Sequence, residues 1–158
     1  MSTLPPPDVR FKGPSKQVVD FYSTGSHACF ISDRLFRLID VMDPGSLEHL
    51  GFELHAKDGA LPFYAVMPRR AVEAIDTKRT TVLIEDEPRG ARYVRKVRFP
   101  EGIIFDNDAL QGVASFSDVD SPAWYWSKDL IAEAKSNGMR GLYAESLASA
   151  SSREVARL

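Results

Sequence analysis

Apolar positions along the chain fall twice into the same arrangement. Cys29-Phe30-Ile31 is an apolar run; Ser32 follows it, and Leu35, Phe36, Ile39 and Met42 then recur at helical spacing. Trp124-Tyr125-Trp126 likewise leads into Ser127, after which Leu130, Ile131 and Ala134 define an apolar face. A serine at the start of a helix accepts a hydrogen bond from a first-turn N–H that otherwise lacks a partner, so Ser32 and Ser127 predict N-caps. Asp43-Pro44-Gly45 predicts the end of the first helix, because proline cannot continue it and disfavours helical geometry in the residue before it. Gly138 predicts the end of the second, where the chain needs a left-handed residue. Two principal helices are therefore expected, at 33–42 and 128–137, within a quasi-repeat of one strand–helix unit.

The remaining pattern predicts short strands. Val18, Val19, Phe21 and Tyr22 suggest the first, Phe52 and Leu54 alternate in another, and Phe63 to Met67 form a run that Pro68 stops. Leu47 and Leu50 read as anchors of a connecting turn, and residues 72–76 as a helical turn or irregular piece. Val82 to Ile84 suggest a strand, Glu85 to Gly90 a surface loop, and Arg92 to Phe99 a half-buried strand by period-two alternation. The class is α+β: a single domain with several short, mostly antiparallel strands and two principal helices. Residues 1–16, with Pro5-Pro6-Pro7, Gly13 and Pro14, are expected to form an extended or flexible arm. The domain spans 17–147, and 148–158 forms a polar C-terminal tail.

Composition narrows the function classes. The chain has 158 residues, 44% hydrophobic and 27% charged, with a net charge of −2, which gives no case for nucleic acid from overall charge. Its single cysteine, Cys29, rules out an internal disulfide and suits a reducing cytoplasm. No stretch has signal-peptide or membrane-spanning character, so no membrane partner is expected.

Candidate chemistry is sparse. Asp106-Asn107-Asp108 resembles a calcium loop, but Gln111 and Ser117 stand where the sharp-turn glycine and the final glutamate would be, so an Asx turn is the better reading. His27, His49 and His55 lack zinc spacing, and Cys29 in an apolar strand reads as a buried structural thiol. The nucleophile elbow, the phosphate loop and the dinucleotide fingerprint are all missing from the sequence. No catalytic, metal-binding or cofactor-binding residue is assigned, and no cofactor is expected. Arg89, Arg92, Arg95, Lys96 and Arg98 form one basic cluster, with Arg69 and Arg70 as possible neighbours; a solvated face balanced by Glu85, Asp86 and Glu87 accounts for it. Asp118 and Asp120 beside Trp124 and Trp126 are the candidate partner-binding residues, since tryptophan is enriched at binding hot spots and carboxylates steer basic partners.

The order of these features resembles a family of bacterial immunity proteins that accompany polymorphic toxins and were long catalogued as a domain of unknown function. It is carried by the Ser-x-x-Leu helix start, by Val72, Ile75, Asp76 and Thr80, by Phe116, and by the closing WYWSKDLIAEAKSNGMRGLYAE. The resemblance covers about Cys29 to Glu145 and is strongest at Ser127, Leu130, Gly138, Met139, Gly141 and Leu142. The chain departs from the family in Thr80, where serine is more usual, and in its proline-rich start. The resemblance implies a non-catalytic cytoplasmic protein that binds a cognate toxin and occludes its active site. Two other classes stay open: a structural or adaptor protein of a secretion system, self-associating as a homodimer, and an enzyme with a dispersed active site.

Overall fold

A computed structural model describes residues 7–24, 28–90, 92–119, 123–143, 145–146 and 155–157. In chain order the first half contains β1 (Val9–Arg10), a single 3-10 turn (Ser15–Gln17), β2 (Phe21–Ser23), β3 (Cys29–Ser32), α1 (Asp33–Met42), β4 (Leu47–Ala56) and β5 (Gly59–Pro68). The second half contains β6 (Ala71–Val72), β7 (Leu83–Arg89), β8 (Arg92–Arg98), β9 (Ser115–Asp118), β10 (Trp124–Ser127), α2 (Lys128–Ser136), β11 (Glu145–Ser146) and β12 (Val155–Arg157). The α+β class and both principal helices are as the sequence predicts.

The quasi-repeat extends well beyond the two capped helices. One sheet has the order β1-β4-β5-β3-β2 and the other β11-β12-β10-β9-β6. Within them, β2-β3-α1-β4-β5 and β9-β10-α2-β11-β12 share one topology: in each the third strand pairs with the fourth, the fourth with the second, and the second with the first, all antiparallel. The caps are matched as closely. Ser32 and Ser127 have φ/ψ of −66/157° and −64/153°, and their hydroxyls accept from Leu35 N at 3.3 Å and Leu130 N at 3.2 Å. Gly138, at φ +64°, closes α2: Gly138 N donates to Lys135 O and Met139 N to Ala134 O, satisfying carbonyls that the helix leaves unpaired.

The helices α1 and α2 pack on each other, α1 also against β3 and β5 and α2 against β10 and β12. Ile31, Leu35, Ile39 and Val66 from the first unit and Trp124, Trp126, Leu130 and Ala134 from the second form one shared core. Successive residues of a strand face opposite ways, so Tyr125 leaves that core and joins Phe105 and Phe116 in a second cluster behind the sheet. A third cluster, around Phe52, Leu54 and Phe63, lies on the far face of the first sheet.

Several expectations need correction. The connecting turn at Leu47 and Leu50 is the start of a ten-residue strand, because β4 pairs with β5 continuously from Leu47–Pro68 to Ala56–Gly59. Glu85 to Arg89 continue β7 rather than forming a loop. Their register sets Glu85 across from Lys96 and Asp86 across from Arg95. Of the two readings of residues 72–76 the irregular piece holds and the helical turn does not: β6 ends at Val72, and Ile75 makes an isolated bridge to Phe105. The arm is docked over part of its length: β1 runs parallel to β4, Phe11 N donates to His55 O, and Val9 and Phe11 cover the third cluster. In the tail, Val155–Arg157 form β12, which pairs with both β10 and β11; residues 148–154 lie outside the described set.

Candidate functional site

Of the four residues predicted to meet a partner, three are interior. Trp126 is fully buried, Trp124 nearly so, and the Trp124 indole N–H donates to Ser115 Oγ at 2.8 Å. Asp118, 3% exposed, accepts from the backbone N–H groups of Ala74 and Ile75, both at 2.9 Å, and so fixes the strand-to-strand connection at β6. Asp120 lies outside the described residues. Unbroken burial of Trp124-Tyr125-Trp126 has a plain cause, since β10 is sandwiched between two cores and both of its faces are covered.

The other residues carrying the resemblance have equally definite places. The Thr80 hydroxyl donates to Ile104 O at 3.2 Å and accepts from Ile104 N at 3.1 Å, a role that a serine would fill equally well. Gly141, at φ +86°, leaves no room for a side chain: a Cβ there would lie 2.8 Å from Phe21 O and from Val19 Cγ2. Asp106 Oδ1 accepts from Asp108 N at 2.9 Å, which makes this stretch an Asx turn. Cys29 is buried, and desolvation raises its pKa in spite of a backbone hydrogen bond at Thr24. His49 packs against Phe36 and Tyr64, His55 is exposed, and His27 lies outside the described residues. In the basic cluster, the side chains of Arg89, Arg92, Arg95, Lys96 and Arg98 lie outside the described set, while Arg70 pairs with Asp43.

Two buried carboxylates escaped the sequence reading. Asp43 Oδ2 accepts from Ala114 N at 2.9 Å and Ser115 N at 3.1 Å, across the boundary between the two units. Asp20 accepts from Ser32 Oγ, from Arg34 Nε and Nη2, all at 2.6 Å, and from Arg140 N at 2.8 Å. Burial works to raise the Asp20 pKa, but the hydrogen bonds from Arg34, Ser32 and Arg140 and the charge of Arg34 outweigh it and hold the pKa below 3.8. Asp20 floors a shallow groove of about 460 Å³ with Arg34, Arg140 and Val19. Its acceptors are engaged by these donors, and Arg140 is turned to Lys16 O and Val18 O, so the groove's charged groups serve to tie chain segments together.

The surface offers two features of another kind. Val82, Leu83 and Ile84, at 37%, 46% and 62% exposed, are three consecutive large apolar residues at the base of β7. Among the described residues β7 and β8 pair only with each other, as a hairpin separate from both larger sheets. The second is a groove of about 570 Å³ along β4 and β5, with Tyr64 in its wall and Asp8, Glu53 and His55 at its rim. Among the described residues no group of three histidine, cysteine, aspartate or glutamate side chains converges for a metal, and no helix is long and apolar enough to cross a membrane.

The protein is thus of the α+β class, two interlocked strand-strand-helix-strand-strand units with an added hairpin. Comparison with protein-family models, with curated proteins and with solved structures finds no match for the chain.

Proposed function

We propose that this chain is an immunity protein, which binds a cognate bacterial toxin in the cytoplasm and blocks it by covering its active site. The exposed Val82-Leu83-Ile84 stretch carries the reading. Large apolar side chains grouped on the surface of an ordered element lower their free energy when a partner covers them. The resemblance to immunity proteins supplies the kind of partner. Its signature residues, among them Thr80, Ser127, Gly138 and Gly141, are committed to caps and close contacts. Such residues preserve a scaffold while the surface residues decide which toxin is bound. Inhibition then needs no chemistry from this chain, only a complementary surface of standard size, about 1,600 Å² in total.

Co-expression with the product of the adjacent gene tests the proposal. Growth rescue with co-purification of a complex is the expected result. Ile84→Asp should weaken that complex by about tenfold or more, since a charge then replaces an apolar contact at the interface. A harmless neighbour, or a toxic one that is neither bound nor neutralised, would remove the reading. A self-associating adaptor would instead run as a dimer by itself, and Ile84→Asp would convert it to a monomer.

A further inference from the structure

We infer that the groove beside Tyr64 seats an arginine side chain of the protein this chain binds, an inference that rests on the protein-binding reading above. The groove is built by strand alternation. On β4, His49, Gly51, Glu53 and His55 share one face, and the register sets Gly51 across from Tyr64 and Glu53 across from Pro62. Phe36 of α1 stacks on the Tyr64 ring at 4.2 Å and 22°, and the Tyr64 hydroxyl donates to Asp33 Oδ1 at 3.4 Å, which fixes the ring in place. Beside that ring Gly51 contributes no side chain. A Cβ at Gly51 would lie 3.5 Å from Tyr64 Cε1, so the glycine leaves open a space that another residue would fill.

The rim supplies the charge. The Glu53 side chain is exposed and, among the described residues, makes no hydrogen bond or ion pair. Asp8, on the β1 side, is met by Arg10 through two exposed contacts, from Nε to Oδ1 at 3.4 Å and from Nη2 to Oδ2 at 3.3 Å, a solvated pair of little strength. The Glu53 carboxylate beside an immobilised aromatic ring complements a cation, and Asp8 adds to the negative charge there only as far as a guest displaces Arg10. A planar guanidinium fits better than an ammonium, because it lies along a ring and offers paired N–H donors to one carboxylate. A volume of about 570 Å³ admits that side chain together with its flanking backbone.

The test uses the full chain and a defined probe. Ac-Gly-Arg-Gly-NH2 is titrated against the labelled protein and followed by two-dimensional amide NMR, with the citrulline peptide, which has the same shape without the charge, as control. Saturating shifts centred on Gly51, Glu53 and Tyr64 are expected for arginine alone, in the millimolar range suited to one side chain, and weakened about fivefold in Glu53→Gln. Gly51→Thr should abolish them while leaving the fold intact, since Gly51 does not have a left-handed backbone and its Cβ would make an ordinary contact. No saturation, an equal response to citrulline, or an equal response in Gly51→Thr would overturn the inference. Co-purification separates it from the reading it rests on. If Glu53→Arg binds the neighbouring gene product as tightly as the wild type does, the groove is wrong and neutralisation stands. If the wild type binds nothing, neutralisation falls and the peptide titration alone decides the groove.

Discussion

Replacing Asp43 with alanine should be among the most damaging single changes in the chain. Asp43 is 4% exposed, and its Oδ2 accepts from the N–H groups of Ala114 and Ser115, which are themselves 8% and 0% exposed. Truncation leaves two buried donors without an acceptor at about 1–3 kcal/mol each, or about 2–6 kcal/mol together. The ion pair with Arg70, at 3.3 Å, adds little, because Arg70 is 39% exposed and can turn to water. Against a typical stability of about 5–15 kcal/mol the variant should still fold. Its urea midpoint should fall by about 1–3 M for a denaturant slope of about 2 kcal/mol/M. Two companions separate the causes. Asp43→Asn keeps an oxygen facing the two N–H groups and should recover most of the loss, whereas Arg70→Ala should cost about 1 kcal/mol or less. A midpoint for Asp43→Ala within about 0.3 M of the wild type would refute the reasoning, because the two amides would then have found another partner or never needed one.

Gly141→Ala should destabilise by about 2 kcal/mol or more, read as a lower urea midpoint, because the position combines a φ of +86° with a Cβ 2.8 Å from Phe21 O. A wild-type midpoint would contradict it. Asp20 predicts an acid limb. Its folded pKa lies below 3.8, so the stability it contributes is present above that value and lost as pH falls through the folded pKa. Asp20→Asn should cost about 2–3 kcal/mol at neutral pH, the bonds to half-exposed Arg34 counting for less than the buried ones, and this deficit should shrink below about pH 4. A deficit constant from pH 7 to pH 3 would show that the carboxylate charge is not what matters.

What could be read from the sequence was local. Ser32, Ser127, Asp43-Pro44-Gly45 and Gly138 announce their helix ends because a cap or a breaker acts within a few residues of itself. The length of β4 was hidden, since His49 and Gly51 carry no strand signal and are held there by the pairing with β5. The three buried aspartates were beyond sequence reasoning for a related cause: the amides they accept from lie 120, 71 and 43 residues away, at Arg140, Ala114 and Ile75. Trp124 and Trp126 were expected at a contact surface, but three large residues in succession with no polar break already describe a strand covered on both sides.

The shared core makes the two units one thermodynamic body. Detaching β10 and α2 would strip Trp126 and Leu130 of the neighbours that α1 and β3 provide, so neither unit opens without exposing the other. A partner held at β4 and β5 therefore steadies β9, β10 and α2 as well, although it touches none of them. The gain grows as the logarithm of partner concentration, about 2.7 kcal/mol at a hundredfold excess over Kd. On the neutralisation reading, a bound toxin guards its own antidote from proteolysis throughout both units. An antidote without its toxin forgoes that protection, and its lifetime in the cell becomes a measure of how much toxin there is to restrain.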